Sequence, residues 1–180
     1  AVNVKIYTAK DFYRISRLPE WAISIFDGKM RLKVDDLHGA TSQVRDLLFH
    51  EYTHAVLAMN IKQRVPAWFH EGLAQLMEPQ FAENSREQQQ MRDALAKNRL
   101  DFASLQDSFK ELGSKDIAET AYLLSKYFLV SLNRQYGKDK LADWVKHLTA
   151  EEKFEEAFVK VYGLDLKKAQ DDWIKAQAKP

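Results

Sequence analysis

Two hydrophobic periods divide the chain near residue 40. In the first part, Val2-Asn3-Val4-Lys5-Ile6-Tyr7 alternates apolar and polar positions, the period of a half-buried strand. Residues 9–17 read as a short helix with Thr8 as N-cap, stopped before Pro19. Residues 21–26 and 30–34 are two further apolar-rich runs around Asp27-Gly28-Lys29, and a D-G turn in that setting predicts a hairpin. Beyond residue 40 the spacing becomes helical. Thr41 and Ser42 are capping residues ahead of a helix that reaches Met59, roughly 28 Å long at 1.5 Å per residue. After a loop over 60–66, helices are predicted over 67–78, 85–98, 116–136, 138–148, 151–162 and 165–178, with Pro79, Gly137 and Gly163 as stops. The pattern predicts an α+β fold: a small antiparallel N-terminal sheet over about 1–40 and a mainly helical remainder over about 41–180, as one domain of 1–180.

Composition narrows the function without naming it. The 180 residues hold 27 Lys and Arg against 26 Asp and Glu, a net charge of +1. No basic excess points to nucleic acid. There is no cysteine, which excludes disulfides, Cys-based zinc sites, thiol catalysis and iron–sulfur clusters. No apolar run approaches the roughly 18 residues of a membrane helix. The chain opens on Ala1-Val2-Asn3, without an initiator Met or a signal-peptide pattern.

One motif carries chemistry. His50-Glu51-Tyr52-Thr53-His54 is H-E-x-x-H inside the first long helix. Residues i and i+4 share a helix face, so two imidazoles one turn apart can grip a single metal ion. Glu51 then lies beside the metal rather than on it, placed to accept a proton from water activated there. Chance would put this pattern in roughly one chain of this length in a few hundred. The apolar flanks Leu47-Leu48-Phe49 and Ala55-Val56-Leu57-Ala58 match a packed helix.

A third ligand must come from elsewhere. The other histidines are His38, His70 and His147, and His38 falls outside the motif's spacing. The metzincin pattern needs a histidine about six residues after His54, where this chain has Asn60. The carboxylate option is Glu71, seventeen residues after His54 in Trp68-Phe69-His70-Glu71-Gly72-Leu73-Ala74. An antiparallel helix pair joined by a short loop would bring it opposite the two histidines. His-His-Glu with one open position is a catalytic zinc arrangement.

His50, Glu51, His54, Trp68, Glu71, Gly72, Leu73 and Ala74, with Glu78 further along, resemble the gluzincin metallopeptidases, and most closely the bacterial peptidase-MA-like domains. The order of hairpin, H-E-x-x-H helix, P-x-W-x-x-E-G-L-A helix and long A-Y-x-x-S helix ending in Y-G is present, the last from Ala121 to Gly137, and Trp173 also fits. The resemblance covers nearly the whole chain. It implies a zincin-like fold, one Zn2+ held by His50, His54 and Glu71, Glu51 as general base, and a peptide or protein substrate. It also implies a cell-envelope or secreted location.

Tyr122 is either the second oxyanion donor that gluzincins place on a later helix or a core aromatic beside Tyr127 and Phe128. Gln75, one turn after Glu71, either bonds a ligand imidazole or is solvated. His70 either orients a ligand, faces substrate or lies on the surface. Arg86 to Gln90 reads as a solvated face. The strand over 30–34 either is the sheet edge that pairs with extended substrate or lies inside the sheet. Aminopeptidase relatives carry G-x-M-E-N before the zinc helix, and this chain has Gly28-Lys29-Met30-Arg31-Leu32. A cation at Arg31 would repel a free amino terminus, so an endopeptidase is expected. The alternatives are a zinc-bearing scaffold without turnover and a metal-free helical interaction domain.

Overall fold

The structure, a computed structural model, describes residues 2–20, 22–34, 42–79, 82–98, 100–109, 112 and 114–177. Trp21, His38, Thr41 and Ala178, all named above within expected elements or as candidate ligands, lie outside the described residues. Strand β1 (Val4–Tyr7) leads into helix α1 (Ala9–Ser16), capped by the Thr8 side chain on the Asp11 amide. Strands β2 (Ser24–Phe26) and β3 (Met30–Lys33) form the expected hairpin, with Phe26 opposite Met30. Its turn holds Gly28 at φ +89°, a backbone setting that side chains resist.

The sheet order is β1-β3-β2, which corrects one expectation and decides between two readings of the strand over 30–34. The sheet is mixed, not antiparallel throughout: β2 and β3 are antiparallel, but β1 runs parallel to β3. Parallel neighbours need a long connection, which α1 and the residues around it supply. Strand β3 is also central, so the edge beside the helices is β2.

Among the described residues seven α-helices follow: α2 (Ser42–Asn60), α3 (Ala67–Leu76), α4 (Ser85–Asn98), α5 (Lys115–Tyr136), α6 (Lys138–Thr149), α7 (Phe154–Tyr162) and α8 (Leu166–Gln177). A 3-10 turn over Phe102–Leu105, capped by Asp101, precedes α5; it was not evident in the hydrophobic spacing. Helix α7 starts three residues later than its apolar pattern suggested, because Glu151 at φ 66° and extended Lys153 keep the chain out of helix. The helical core centres on Trp68, whose ring meets Phe69, Phe102, Phe128, Trp144 and Phe154. Trp173 closes it from α8, against Phe102 and Phe128.

One seam within this core positions the site. At Gly72 on α3 an added Cβ would lie 2.6 Å from the Ser125 carbonyl oxygen of α5. Only glycine allows the two helices to come this close. Gln75 Nε2, one turn on, donates to the Tyr122 carbonyl oxygen at 3.0 Å and ties α3 to α5. The polar α4 is pinned to α5 by Lys126 on Glu87 at 2.7 Å, so Glu87 and the half-buried Gln88 are exceptions in an otherwise open Arg86–Gln90 face.

Candidate metal centre

The loop between α2 and α3 turns the chain back and brings Glu71 against the two histidines of α2. His54 Nε2 lies 3.2 Å from His50 Nε2, and Glu71 Oε2 lies 3.4 Å from each of them. Among the described residues this is the group of three side chains able to share a metal ion. The triangle can be tested against a metal. A tetrahedral zinc with ligand bonds of 2.0–2.2 Å has edges of about 3.3–3.6 Å, and the three donor atoms stand at nearly that spacing. The Glu71 Oε2 atom is buried and has no close partner besides the two imidazoles at 3.4 Å. A buried carboxylate oxygen facing two imidazole nitrogens calls for positive charge between them, a metal ion or a proton on a ring. The residues present therefore fit a metal.

The surrounding charges favour a cation at the same place. For His50, burial acts to lower the pKa, but Glu71 and Glu78 together outweigh it and push it up to about 10. For Glu71, burial acts to raise the pKa, yet His50 and His54 hold it well below the usual carboxylate range. Glu78 Oε1 sits 2.9 Å from His50 Nδ1. A carboxylate on the far nitrogen sets the imidazole's tautomer, so that Nε2 presents its lone pair to the metal. That role was one of the two readings open for Gln75. Gln75 instead donates to the Glu71 and Tyr122 carbonyl oxygens and touches no imidazole. The signal available for Glu78 was its spacing, seven residues or two turns after Glu71, which returns it to the same face.

Glu51 is 3% exposed, and its Oε2 is a buried acceptor without a partner. It lines the same cleft, of about 810 Å³, as the three donors, His70 and Tyr122. Burial, then the nearby charges of Glu71 and Glu51, raise the Tyr122 pKa, so its hydroxyl stays protonated and able to donate. Its ring packs edge-on against Phe109. Tyr122 thus packs in part against the core and in part lines the cleft. His70 also lines the cleft, its ring 6.0 Å from that of His54. Burial, then the neighbouring His54, lower its pKa to about 4, which keeps it neutral.

Arg31 does not stand at the cleft. Its guanidinium bonds Asp27 at 2.8 Å and the Tyr7 hydroxyl at 2.7 Å. Strand alternation explains this: Met30 and Leu32 turn inward and are buried, so Arg31 faces the other side of the sheet. The expected repulsion of a substrate amino terminus by Arg31 therefore has no basis. The wall of the cleft is formed by β2 and the residues before it, from Ala22 to Phe26.

The fold and this site together define a zincin-like protein of the H-E-x-x-H class with a candidate metal site. Residues 35–178 match the peptidase MA superfamily, and the chain belongs to it. No curated protein and no solved structure matches the chain. Among the described residues no helix is long and apolar enough to cross a membrane.

Proposed function

We propose that the protein is a zinc metallopeptidase that cuts internal peptide bonds. The observation that carries this reading is the triangle of His50 Nε2, His54 Nε2 and Glu71 Oε2, with buried, unpartnered Glu51 beside it. Zinc held by these three would lower the pKa of a bound water to about 7 and polarise a carbonyl. Glu51 takes the proton of the attacking water and returns it to the leaving amine. Tyr122 donates its hydroxyl hydrogen to the developing oxyanion. Glu78 keeps the His50 ring in its ligating tautomer, and the Gly72–Ser125 seam keeps Glu71 in place. A scaffold without turnover has no use for a buried carboxylate left without a partner, which favours the enzyme reading.

The preference for internal bonds rests on β2. Lys33 N–H donates to the Ile23 carbonyl and Asp27 N–H to that of Lys29. Alternation along an antiparallel strand then turns the backbone groups of Ser24 and Phe26 to the free edge, beside the cleft. An extended peptide can pair there through its backbone, with no demand for a free amino terminus.

Glu51→Gln should keep the fold and a full zinc complement while peptide cleavage falls by about 10² to 10⁴-fold. N-acetylated and free peptides of one sequence should be cut at the same internal bonds. An unchanged rate for Glu51→Gln, or stepwise N-terminal release abolished by acetylation, would defeat the respective half of the proposal.

A further inference from the structure

Helix α2 has a second face, opposite the metal ligands. Phe49, Tyr52, Val56 and Met59 are 48%, 52%, 38% and 65% exposed. Their spacing of three, four and three residues makes one continuous stripe. Val4 and Ile6 of β1 extend it at 46% and 50% exposure, although their register partners Met30 and Leu32 are buried. A groove of about 770 Å³ runs between β1 and this stripe. From Leu47 to Asn60 the helix has no Lys, Arg or Asp, and its single Glu is the buried Glu51. A helix face meant for water carries charge along its length; this one carries a single charge, on exposed Arg45 one turn before Phe49.

We propose that this face binds a second copy of the chain, in a twofold dimer with the two α2 helices antiparallel. Two observations choose that occupant. The first is symmetry. Positions 49 and 59, and 52 and 56, are each centred on residue 54. An antiparallel copy therefore sets Phe49 against the partner's Met59 and Tyr52 against the partner's Val56, a ring facing a flexible or branched aliphatic group each time. Between Phe49 and Met59 no charge on the stripe selects an acidic or basic partner instead. The second is area. At their exposures the six side chains leave a patch on the order of 500 Å², at the upper end for a monomer. Twofold pairing doubles this to on the order of 1,000 Å² before any rim contact, where specific interfaces begin. The cleft lies on the other side of α2, so both metal sites stay open. The inference does not depend on the protein being a peptidase.

Sedimentation equilibrium of the 180-residue chain from about 1 to about 300 µM should show the mass rising from 20.9 kDa toward twice that value. Val56→Lys should weaken association about tenfold or more, with helix content and zinc binding retained. The chain has no cysteine, which permits a direct test of register that does not depend on that variant's folding. An oxidised equimolar mixture of Phe49→Cys and Met59→Cys proteins should form the mixed disulfide in preference to either homodisulfide. A mass fixed at 20.9 kDa across the range, a dimer indifferent to Val56→Lys, or homodisulfides formed as readily as the mixed one would overturn the proposal.

Discussion

Helices α2 and α3 both feed the metal centre, yet they are held in different ways. Helix α3 is enclosed: Trp68, Phe69 and Ala74 have no exposure, and Gly72 sits hard against α5. Helix α2 is covered on one side only and leaves Phe49, Tyr52, Val56 and Met59 open on the other. The two ligands on α2 need little from the core, because their i, i+4 spacing already sets them side by side. The ligand on α3 has no such local guarantee. Its position depends on how closely α3 packs on α5, and that is where the tightest packing is found.

The contrast predicts where the site is fragile. Glu71→Ala removes the ligand that the core supplies, and zinc affinity should fall by more than the roughly hundredfold reached by outer-sphere changes. Gln75→Ala leaves all three ligands and should cost far less. Titration against a chelator of known affinity compares the two, and equal losses would erase the distinction.

Gly72→Ala tests the seam itself. Alanine is the better helix former by up to about 1 kcal/mol, but its Cβ would meet the Ser125 carbonyl oxygen at 2.6 Å. Backbone cannot step aside as a side-chain tip can, so overpacking should win, with a net loss on the order of 1–2 kcal/mol. Thermal melting should show a Tm lower by roughly 2–4 °C per kcal/mol. Met59→Gln on the open face of α2, measured at about 1 µM, should move stability by no more than about 0.5 kcal/mol.

Glu78→Gln sharpens the account of α2. The amide keeps the shape but loses the charge that orients His50, so zinc affinity should drop about 10 to 100-fold. The absorption spectrum of the cobalt-substituted protein should shift as well, because the imidazole's orientation changes. An unaltered spectrum and affinity would leave Glu78 a surface partner only.

A pH slope tests the same histidine. The His50 pKa is raised, to about 10, so at neutral pH its ring carries a proton that a metal must displace. Below that value apparent zinc affinity should rise with pH, by about tenfold per unit for one proton released. Calorimetry in buffers of different ionisation enthalpy counts the proton directly.

Local pattern was enough for much of this molecule. Thr8 caps the helix it precedes, Asp27-Gly28 makes the hairpin, and H-E-x-x-H brings two imidazoles onto one helix face. Each is settled within a few residues, by hydrogen-bonding capacity or by period. The order of strands was not legible, because alternation says that Met30 and Leu32 face inward but not which strand lies beside theirs. That arrangement put β2 rather than β3 at the cleft. Seventeen residues of spacing made Glu71 a candidate, but only the α3–α5 packing brought its Oε2 to 3.4 Å from both histidines. The exchange between Gln75 and Glu78 has the same cause. Both return to the face of Glu71, and which one meets His50 depends on how far α3 extends and what α5 offers it. Tyr122 took the Gln75 amide through its backbone carbonyl, leaving the imidazole to the carboxylate beyond the helix end. Contacts between elements far apart in the chain are set by the shape of the packed core, and no local period encodes that shape.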